Sequence, residues 1–323
     1  MLFEFDQFKN PELRKQLESH FILNSPLLSY GRETKEYVFV DTESGSDNNS
    51  GLGGWKHAKA TIQAGVNVAR YVRGTTTIDS EKDHRSVVLV APGHYNVAAG
   101  SPTLAFSGYN VAIVGLGCSV PGKDYGVSIN YDGATDTTAA IAFSGSGISL
   151  HNLHIQMTEA LPAIYCAGGD NNLIENCVIE GDGTNNTYGI HMASMKGSRI
   201  RNCVIHGFAT AGIWVEGGAN HYFIHGSIDN NQLYSAVTGA KGILVDNTNV
   251  VYNSKIFRNF IDVEPGGATS IGIDNNATGN LFIADNYVAV ETAATPIESA
   301  SNGVLDNKVT VNGTPDSSFN DGE

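Results

Sequence analysis

Two acidic residues in the second half of the chain, Glu216 and Asp246, have a spacing that suggests chemistry. A small residue followed by Ile recurs at Ala163-Ile164, Gly189-Ile190, Gly212-Ile213, Gly242-Ile243 and Gly272-Ile273. The third residue after each of the last four isoleucines is Ala193, Glu216, Asp246 and Asn276. If the repeats stack, the two carboxylates lie about 5 Å apart, a spacing that suits a retaining glycosidase or helps to hold Ca²⁺. The alternative is an acidic, solvated surface.

A second pair, Glu180 and His206, follows from another repeated residue. Asn precedes an apolar strand at Asn152, Asn176, Asn202, Asn231, Asn259, Asn286 and Asn307. The fourth residue after each of the first three is Gln156, Glu180 and His206. A Glu and a His on neighbouring repeats can exchange protons with a substrate, or can form only a weak surface pair. Trp214 and Tyr188 suit a platform for sugar stacking, or the packing of one repeat on the next.

These repeats predict the elements that position the residues. The Asn anchors recur at intervals of 21 to 29 residues, with several short apolar runs between them and no helical pattern. Parallel strands without a helical crossover fit a coil in which each turn pairs with the turns above and below. We therefore predict an all-β fold, a single-stranded right-handed parallel β-helix (a solenoid). Stacked Asn side chains would form an amide ladder, predicted at Asn176, Asn202, Asn231, Asn259, Asn286 and Asn307.

Composition limits the classes of function. The 323 residues include 33 acidic and 19 basic side chains, a formal net charge of −14, and no basic stripe, which disfavours nucleic acid as a partner. No run approaches the roughly 18 apolar residues of a membrane span, and the N-terminus lacks the pattern of a secretion signal. Cys177 and Cys203 occupy equivalent positions in adjacent repeats and are predicted to be reduced and buried.

The N-terminal residues 1–37 differ from the repeats. They predict an arm with a short amphipathic helix whose apolar residues are Phe3, Phe5, Phe8, Leu13, Leu17 and Phe21. Such an arm either packs on its own β-helix or docks on a partner. Residues 38–85 predict a first strand, a loop and a helix that caps the stack, with Ile62, Val66, Ala69 and Val72 on its inner face. The β-helix is predicted over 86–311 and a polar tail over 312–323.

The segment from Tyr37 to Tyr95 resembles the opening of pectin-lyase-like right-handed β-helix proteins. The resemblance rests on VFVDTESGSDNNSG, Trp55, the helix at Ala60-Thr61-Ile62-Gln63, and VVLVAPGHY, and then on the later N-x-apolar and G-I repeats. It implies the fold but not the activity, because this fold serves polysaccharide lyases, hydrolases, epimerases, adhesins and phage tailspikes. The paired-Asp, Gly-His-Gly and Arg-Ile-Lys motifs of polygalacturonase-like members are absent from the sequence.

The layout, an aromatic arm before a β-helix, resembles that of a phage tailspike or capsid-decorating protein. We therefore expect a non-enzymatic structural protein of a bacteriophage virion, assembled as a homotrimer and attached to capsid or tail proteins through residues 1–37. A surface glycan is a further expected partner, whereas nucleic acid, a membrane and a cofactor are not expected. Ca²⁺ at Glu216 and Asp246 is the one metal that stays open. The alternatives are a polysaccharide-degrading enzyme (a depolymerase, lyase or glycoside hydrolase) and, third, a bacterial surface adhesin.

Overall fold

The computed structural model describes residues 34–71, 85–97, 104–107, 110–117, 126–131, 139–185, 187–217, 222–246, 250–263, 269–277, 279–291, 295–299, 303–311 and 314–315. Phe3, Phe5, Phe8, Leu13, Leu17 and Phe21 of the predicted arm therefore lie outside the described residues, as does most of the predicted tail.

In the described part of the chain, thirty short strands form three sheets that wrap around a main apolar core, and a smaller buried cluster lies around Trp55. Sheet A contains β1 (Thr34–Val40), β2 (Arg85–Val90), β5 (Val111–Gly115), β8 (Ser149–His151), β11 (Leu173–Glu175), β14 (Met195–Lys196), β15 (Arg199–Arg201), β18 (Tyr222–Ile224), β19 (Ser227–Asp229), β22 (Val250–Phe257), β25 (Gly279–Ala284) and β28 (Val304–Leu305). Sheet B contains β3 (Gly93–Val97), β6 (Val127–Tyr131), β9 (Leu153–Met157), β12 (Val178–Glu180), β16 (Val204–His206), β20 (Gln232–Tyr234), β23 (Phe260–Asp262), β26 (Tyr287–Val290), β29 (Lys308–Val311) and β30 (Thr314–Pro315). Sheet C contains β4 (Leu104–Ser107), β7 (Ile141–Ser144), β10 (Ile164–Gly168), β13 (Tyr188–Met192), β17 (Ala211–Val215), β21 (Lys241–Val245), β24 (Ile271–Asn275) and β27 (Thr295–Ser299).

The strands pair in parallel with the equivalent strands of the coils before and after, so the predicted coil is confirmed. The one antiparallel pair among the described strands joins β29 and β30. Along sheet C the five isoleucines of the small-residue anchor are direct partners, and the same column continues at Ile297, which follows Pro296. Each coil therefore places the same apolar side chain over the previous one, which buries it without a helical layer.

The glycine that precedes Ile190, Ile213, Ile243 and Ile273 is required by space. A Cβ on Gly242 would overlap with Ile261 Cγ2 of sheet B, across the core, and with the carbonyl oxygen of Gly272 in the next coil. Gly189, Gly212 and Gly272 meet equivalent obstacles. A larger residue would therefore push sheets B and C apart, which explains why a small residue accompanies each Ile.

The corner between sheets A and B consists of two adjacent columns of residues. The first has a left-handed backbone in every coil from Asn152 onward, with φ between 52° and 57° at Asn152, Asn176, Asn202, Asn230, Arg258, Asp285 and Asp306. Asn adopts this conformation more readily than other residues that carry a Cβ. The next residue points into the core. The sequence-based prediction treated these two columns as a single Asn ladder.

The amide ladder runs through Asn231, Asn259, Asn286 and Asn307. Each Nδ2 donates to the Oδ1 of the next Asn, over 3.0, 2.9 and 2.8 Å. Asn176 and Asn202 were wrongly assigned to the ladder, because both lie in the left-handed column one residue earlier. Their successors Cys177 and Cys203 continue the ladder position instead, and the Cys203 N–H donates to Asn231 Oδ1. Both cysteines are free thiols, as predicted.

The N-terminal end of the stack is closed by the predicted helix, α1 (Ile62–Tyr71). Its inner residues Ile62, Val66 and Ala69 are buried, whereas Val72 lies outside the described residues. At this end, the sheets of the β-helix begin earlier in the chain than predicted. β1 begins at Thr34, inside the range predicted as arm, and pairs in parallel with β2, so it is the first strand of sheet A and the stack does not begin at residue 86.

Candidate functional site

The outward residues of sheet C bring the first predicted pair together. Glu216 directly follows β17, and its backbone N–H donates to the Met192 carbonyl; Asp246 directly follows β21 and donates to the Val215 carbonyl. Since Val215 and Val245 are direct partners, Glu216 and Asp246 occupy equivalent places in consecutive coils. The register of the predicted column is therefore correct. We call the outward surface of β10, β13, β17, β21, β24 and β27, with the residue after each strand, the sheet-C face.

The Glu216 carboxylate is held by a histidine. His191 Nε2 lies 3.0 Å from Glu216 Oε2, and about 12% of the His191 side chain and 28% of the Glu216 side chain are exposed. The imidazole is itself fixed between rings: it stacks on Trp214 at 4.0 Å between centroids and lies 4.7 Å from Tyr165. The position of His191 was not singled out from the sequence. The sequence signal that could have placed His191 on the outer face was its position between Ile190 and Met192, both of which are buried.

The predicted aromatic platform is a stack of rings. Tyr188 stacks on Trp214 with 4.6 Å between ring centroids and an interplanar angle of 27°, and His191 stacks on the same indole. Burial raises the pKa of the Tyr188 hydroxyl, and the negative charges of Asp246 and then Glu216 raise it further. The two carboxylates and the ring stack therefore share one electrostatic environment.

A lysine and another acid extend the face by one coil. Lys241 Nζ lies 2.5 Å from Asp274 Oδ2, and Asn276 Nδ2 donates to Asp274 Oδ1 over 2.8 Å. Asp274 occupies the column of His191 and Trp214, and about 3% of the residue is exposed. Sequence reasoning missed this pair, because Asp274 lies one residue after its Ile anchor and Lys241 two residues before the anchor of the preceding coil.

The second predicted pair is adjacent on the outer face of sheet B. Glu180 and His206 are direct partners on β12 and β16, with His206 Nε2 3.2 Å from Glu180 Oε1. The other carboxylate oxygen lies 3.2 Å from His154 Nε2 and accepts from Gln156 Nε2 over 3.0 Å. Burial alone would raise the pKa of Glu180, but the Gln156 hydrogen bond and the charges of His154 and His206 lower it overall. Glu180 is thus an ionised, fully engaged acceptor and is poorly suited to donate a proton.

Sheet A carries an acid that the sequence did not reveal. Glu175 is almost fully buried, with Arg201 Nε 2.7 Å from Oε1 and His151 Nδ1 3.3 Å from Oε2. Burial by itself would raise the pKa of Glu175, yet the His151 hydrogen bond and the Arg201 charge lower it overall. The three residues are in-register neighbours on β8, β11 and β15. They form a structural ion pair across three coils.

Within the described ranges, no set of three or more His, Cys, Asp and Glu side chains is arranged to hold a metal ion. In the same part of the chain, no helix is long and apolar enough to cross a membrane. Ca²⁺ binding by Glu216 and Asp246, and the expected lack of a cofactor, stay predictions.

Comparison with known proteins agrees with the geometry. The family described as "Right handed beta helix region" matches residues 139–313, more than half of the chain. The fold is therefore a right-handed parallel β-helix, which confirms the predicted fold class. The chain belongs to the right-handed β-helix family. Among curated proteins, none matches the sequence.

Solved structures resemble the chain in fold. The pectate lyase Pel9A has a TM-score of 0.51 and 14% identity, over 89% of this chain and 80% of its own. The A-module of the Azotobacter vinelandii mannuronan C-5 epimerase AlgE4 has a TM-score of 0.50 and 14% identity, over 84% and 76%. ORF18 of Geobacillus virus E2 has a TM-score of 0.42 and 10% identity, over 85% and 61%, which is too low to support an argument. Identities at this level show the fold alone.

Proposed function

We propose that this protein is a glycan-binding, non-enzymatic structural protein of a bacteriophage virion, and that the glycan lies across the sheet-C face. The observation that supports glycan binding is the stack of Tyr188, Trp214 and His191 beside Glu216 and Asp246. Aromatic rings contact the C–H faces of sugars, and ionised carboxylates accept hydrogen bonds from hydroxyl groups. The His191 contact holds Glu216 in one orientation, which lowers the entropic cost of binding.

Glycan binding is tested with Trp214→Ala on an array of bacterial surface glycans. Loss of an aromatic contact is expected to weaken binding by roughly three- to tenfold. The matched control is Phe260→Ala, which removes an exposed aromatic ring, 48% accessible, from sheet B. Circular dichroism checks that both variants fold. If Phe260→Ala weakens binding as much as Trp214→Ala, or if the wild-type protein binds no glycan, the proposal is wrong.

Attachment to the virion is proposed for residues 1–37. Its support is the sequence of this segment, with Phe3, Phe5 and Phe8 ahead of an amphipathic pattern. Deletion of residues 1–30 is expected to leave a folded β-helix that no longer joins the particle. If the truncated protein is still incorporated into the particle, attachment through residues 1–37 is wrong. Trimeric assembly belongs to the same proposal and is measured by analytical ultracentrifugation of the full chain.

The second candidate is a glycan-cleaving enzyme, favoured by the register of Glu216 and Asp246. Strands of neighbouring coils are about 4.8 Å apart, close to the roughly 5 Å between the carboxyl groups of retaining glycosidases. Glu216→Gln and Asp246→Asn should then abolish release of oligosaccharide without lowering thermal stability. If both variants stay active, or if the wild-type protein cleaves no glycan that it binds, the enzymatic candidate fails.

A further inference from the structure

The charges of the sheet-C face are unbalanced. Its outward side chains include four carboxylates, those of Glu216, Asp246, Asp274 and Glu298, and one ammonium group, that of Lys241. Four negative charges and one positive charge give these five groups a formal charge of −3. The ammonium group is already engaged, because Lys241 Nζ lies 2.5 Å from the buried Asp274 carboxylate. Within the described residues, this face therefore offers a ligand no cation that is not already paired.

Apart from Lys241, the basic residues within the described strands lie on other sheets. Lys35, Arg85, Lys196, Arg199, Arg201 and Lys255 belong to strands of sheet A, and Lys308 belongs to sheet B. The acidic character of the sheet-C face is thus a local property and does not simply follow from the overall charge of −14. On this face the imidazole of His191 contacts the Glu216 carboxylate, with His191 Nε2 3.0 Å from Glu216 Oε2.

We infer that the glycan bound on the sheet-C face carries no carboxylate or sulfate group, so that its sugars are uncharged or amino-bearing. This inference rests on the proposed glycan-binding function. A uronate or sulfate placed here would meet the carboxylates of Asp246 and Glu216, and the described part of this face has no unpaired ammonium group to attract it. Like charges about 5 Å apart in water weaken binding about fourfold for each contact, and more where water is excluded. An amino group at the same distance gains a similar factor.

The test compares classes of glycan on one array that holds neutral, amino-bearing, uronate and sulfated oligosaccharides, in buffer with EDTA and in buffer with CaCl₂. The expected ligands are neutral or amino-bearing in both buffers. Binding led by uronates or sulfated sugars in EDTA overturns the inference and leaves glycan binding intact. Uronate binding that appears only with CaCl₂ also overturns it, since a bridging cation would then supply the missing charge. Binding of no glycan at all overturns the proposed function itself.

A charge variant locates the effect. Asp246→Asn is expected to weaken an amino-bearing ligand about fourfold and to strengthen the uronate member of a length-matched pair by about the same factor. If the ligand is neutral, Asp246→Asn should lower about fourfold the concentration of uronate oligosaccharide that displaces this ligand. The matched control is Asp262→Asn, which removes the same charge from the outer face of sheet B. Equal effects of the two variants would mean that overall charge, and not this face, sets the preference, which would overturn the inference.

Discussion

The amide ladder allows one substitution to be worked through in detail, Asn259→Ala. The Asn259 side chain makes four contacts with neighbouring coils. Its Oδ1 accepts from the backbone N–H and from Nδ2 of Asn231, each over 3.0 Å, and its Nδ2 donates to the Ile228 carbonyl over 3.0 Å and to Asn286 Oδ1 over 2.9 Å. Only about 1% of the residue is exposed, so water does not reach these groups in the folded protein.

The expected cost follows from the groups that lose a partner. Asn259→Ala leaves the Asn231 N–H and the Ile228 carbonyl buried without this amide. A buried polar group without its partner costs about 1–3 kcal/mol, so the free energy of unfolding should fall by roughly 2–6 kcal/mol. This is a large share of the roughly 5–15 kcal/mol that stabilises a typical domain. The substitution also removes the hydrogen bonds with the Asn231 and Asn286 side-chain amides, which adds to this cost.

The effect is measured by urea unfolding, followed by circular dichroism, and by hydrogen exchange at the Asn231 amide. The control is Asn280→Ala, which removes the same side chain from an exposed position on β25 and should change stability by no more than about 0.5 kcal/mol. If Asn259→Ala is as stable as this control, and the Asn231 amide stays protected from exchange, the ladder does not contribute as argued.

Three further predictions concern the core and the buried acid. Cys203→Asn should extend the ladder towards Asn231 and raise the free energy of unfolding by about 1 kcal/mol in urea titrations; a lower midpoint would contradict this. Gly242→Ala should lower it by about 1–3 kcal/mol, because the new Cβ meets Ile261, and an unchanged midpoint would show that sheets B and C can separate there. Glu175→Gln should be less stable than wild type at neutral pH. The pKa of Glu175 in the folded protein lies below its ordinary value of 4.5. The ionised carboxylate therefore stabilises the folded protein above pH 4.5, and this stabilisation is lost as the pH falls through the folded pKa. The difference in urea midpoint between wild type and Glu175→Gln should therefore disappear in acid, and a difference that stays constant with pH would refute the ion-pair account.

The fold could be predicted because its columns repeat one chemical requirement. Five successive coils place a small residue before an inward Ile, and the contacts that a Cβ on Gly242 would make show the reason. The Asn anchor was harder to interpret, since two columns at the same corner both favour Asn. The position of Asn202 requires a left-handed backbone, with φ of 55°, whereas the position of Asn231 requires a side-chain amide that can hydrogen-bond along the ladder. The interval of 29 residues between them was one more than the true repeat of 28, and this was the signal of a change of column.

The candidate site was only partly predictable. Counting from the Ile anchor places Glu216 and Asp246 correctly, because both follow strands of equal register. The partner of Glu216 could not be found in that way, since His191 belongs to the preceding coil and to another column. The contact between Glu175 and Arg201 could not be predicted either. Alternation along a strand shows which residues face outward, but it does not show which of these are then buried by their neighbours.

The outward columns explain why a shared fold says so little about the ligand. In one column of sheet C, the residues of successive coils are Tyr165, His191, Trp214, Leu244 and Asp274. Parallel pairing uses only the backbone, so the coil tolerates any of these side chains, whereas the inward Ile column tolerates little change. A β-helix can therefore keep its core while its outer faces acquire different charges. Because the charge of the sheet-C face is set by a few outward residues, replacing Asp246 should alter ligand preference without altering the fold, and stability and specificity should prove separable in this protein.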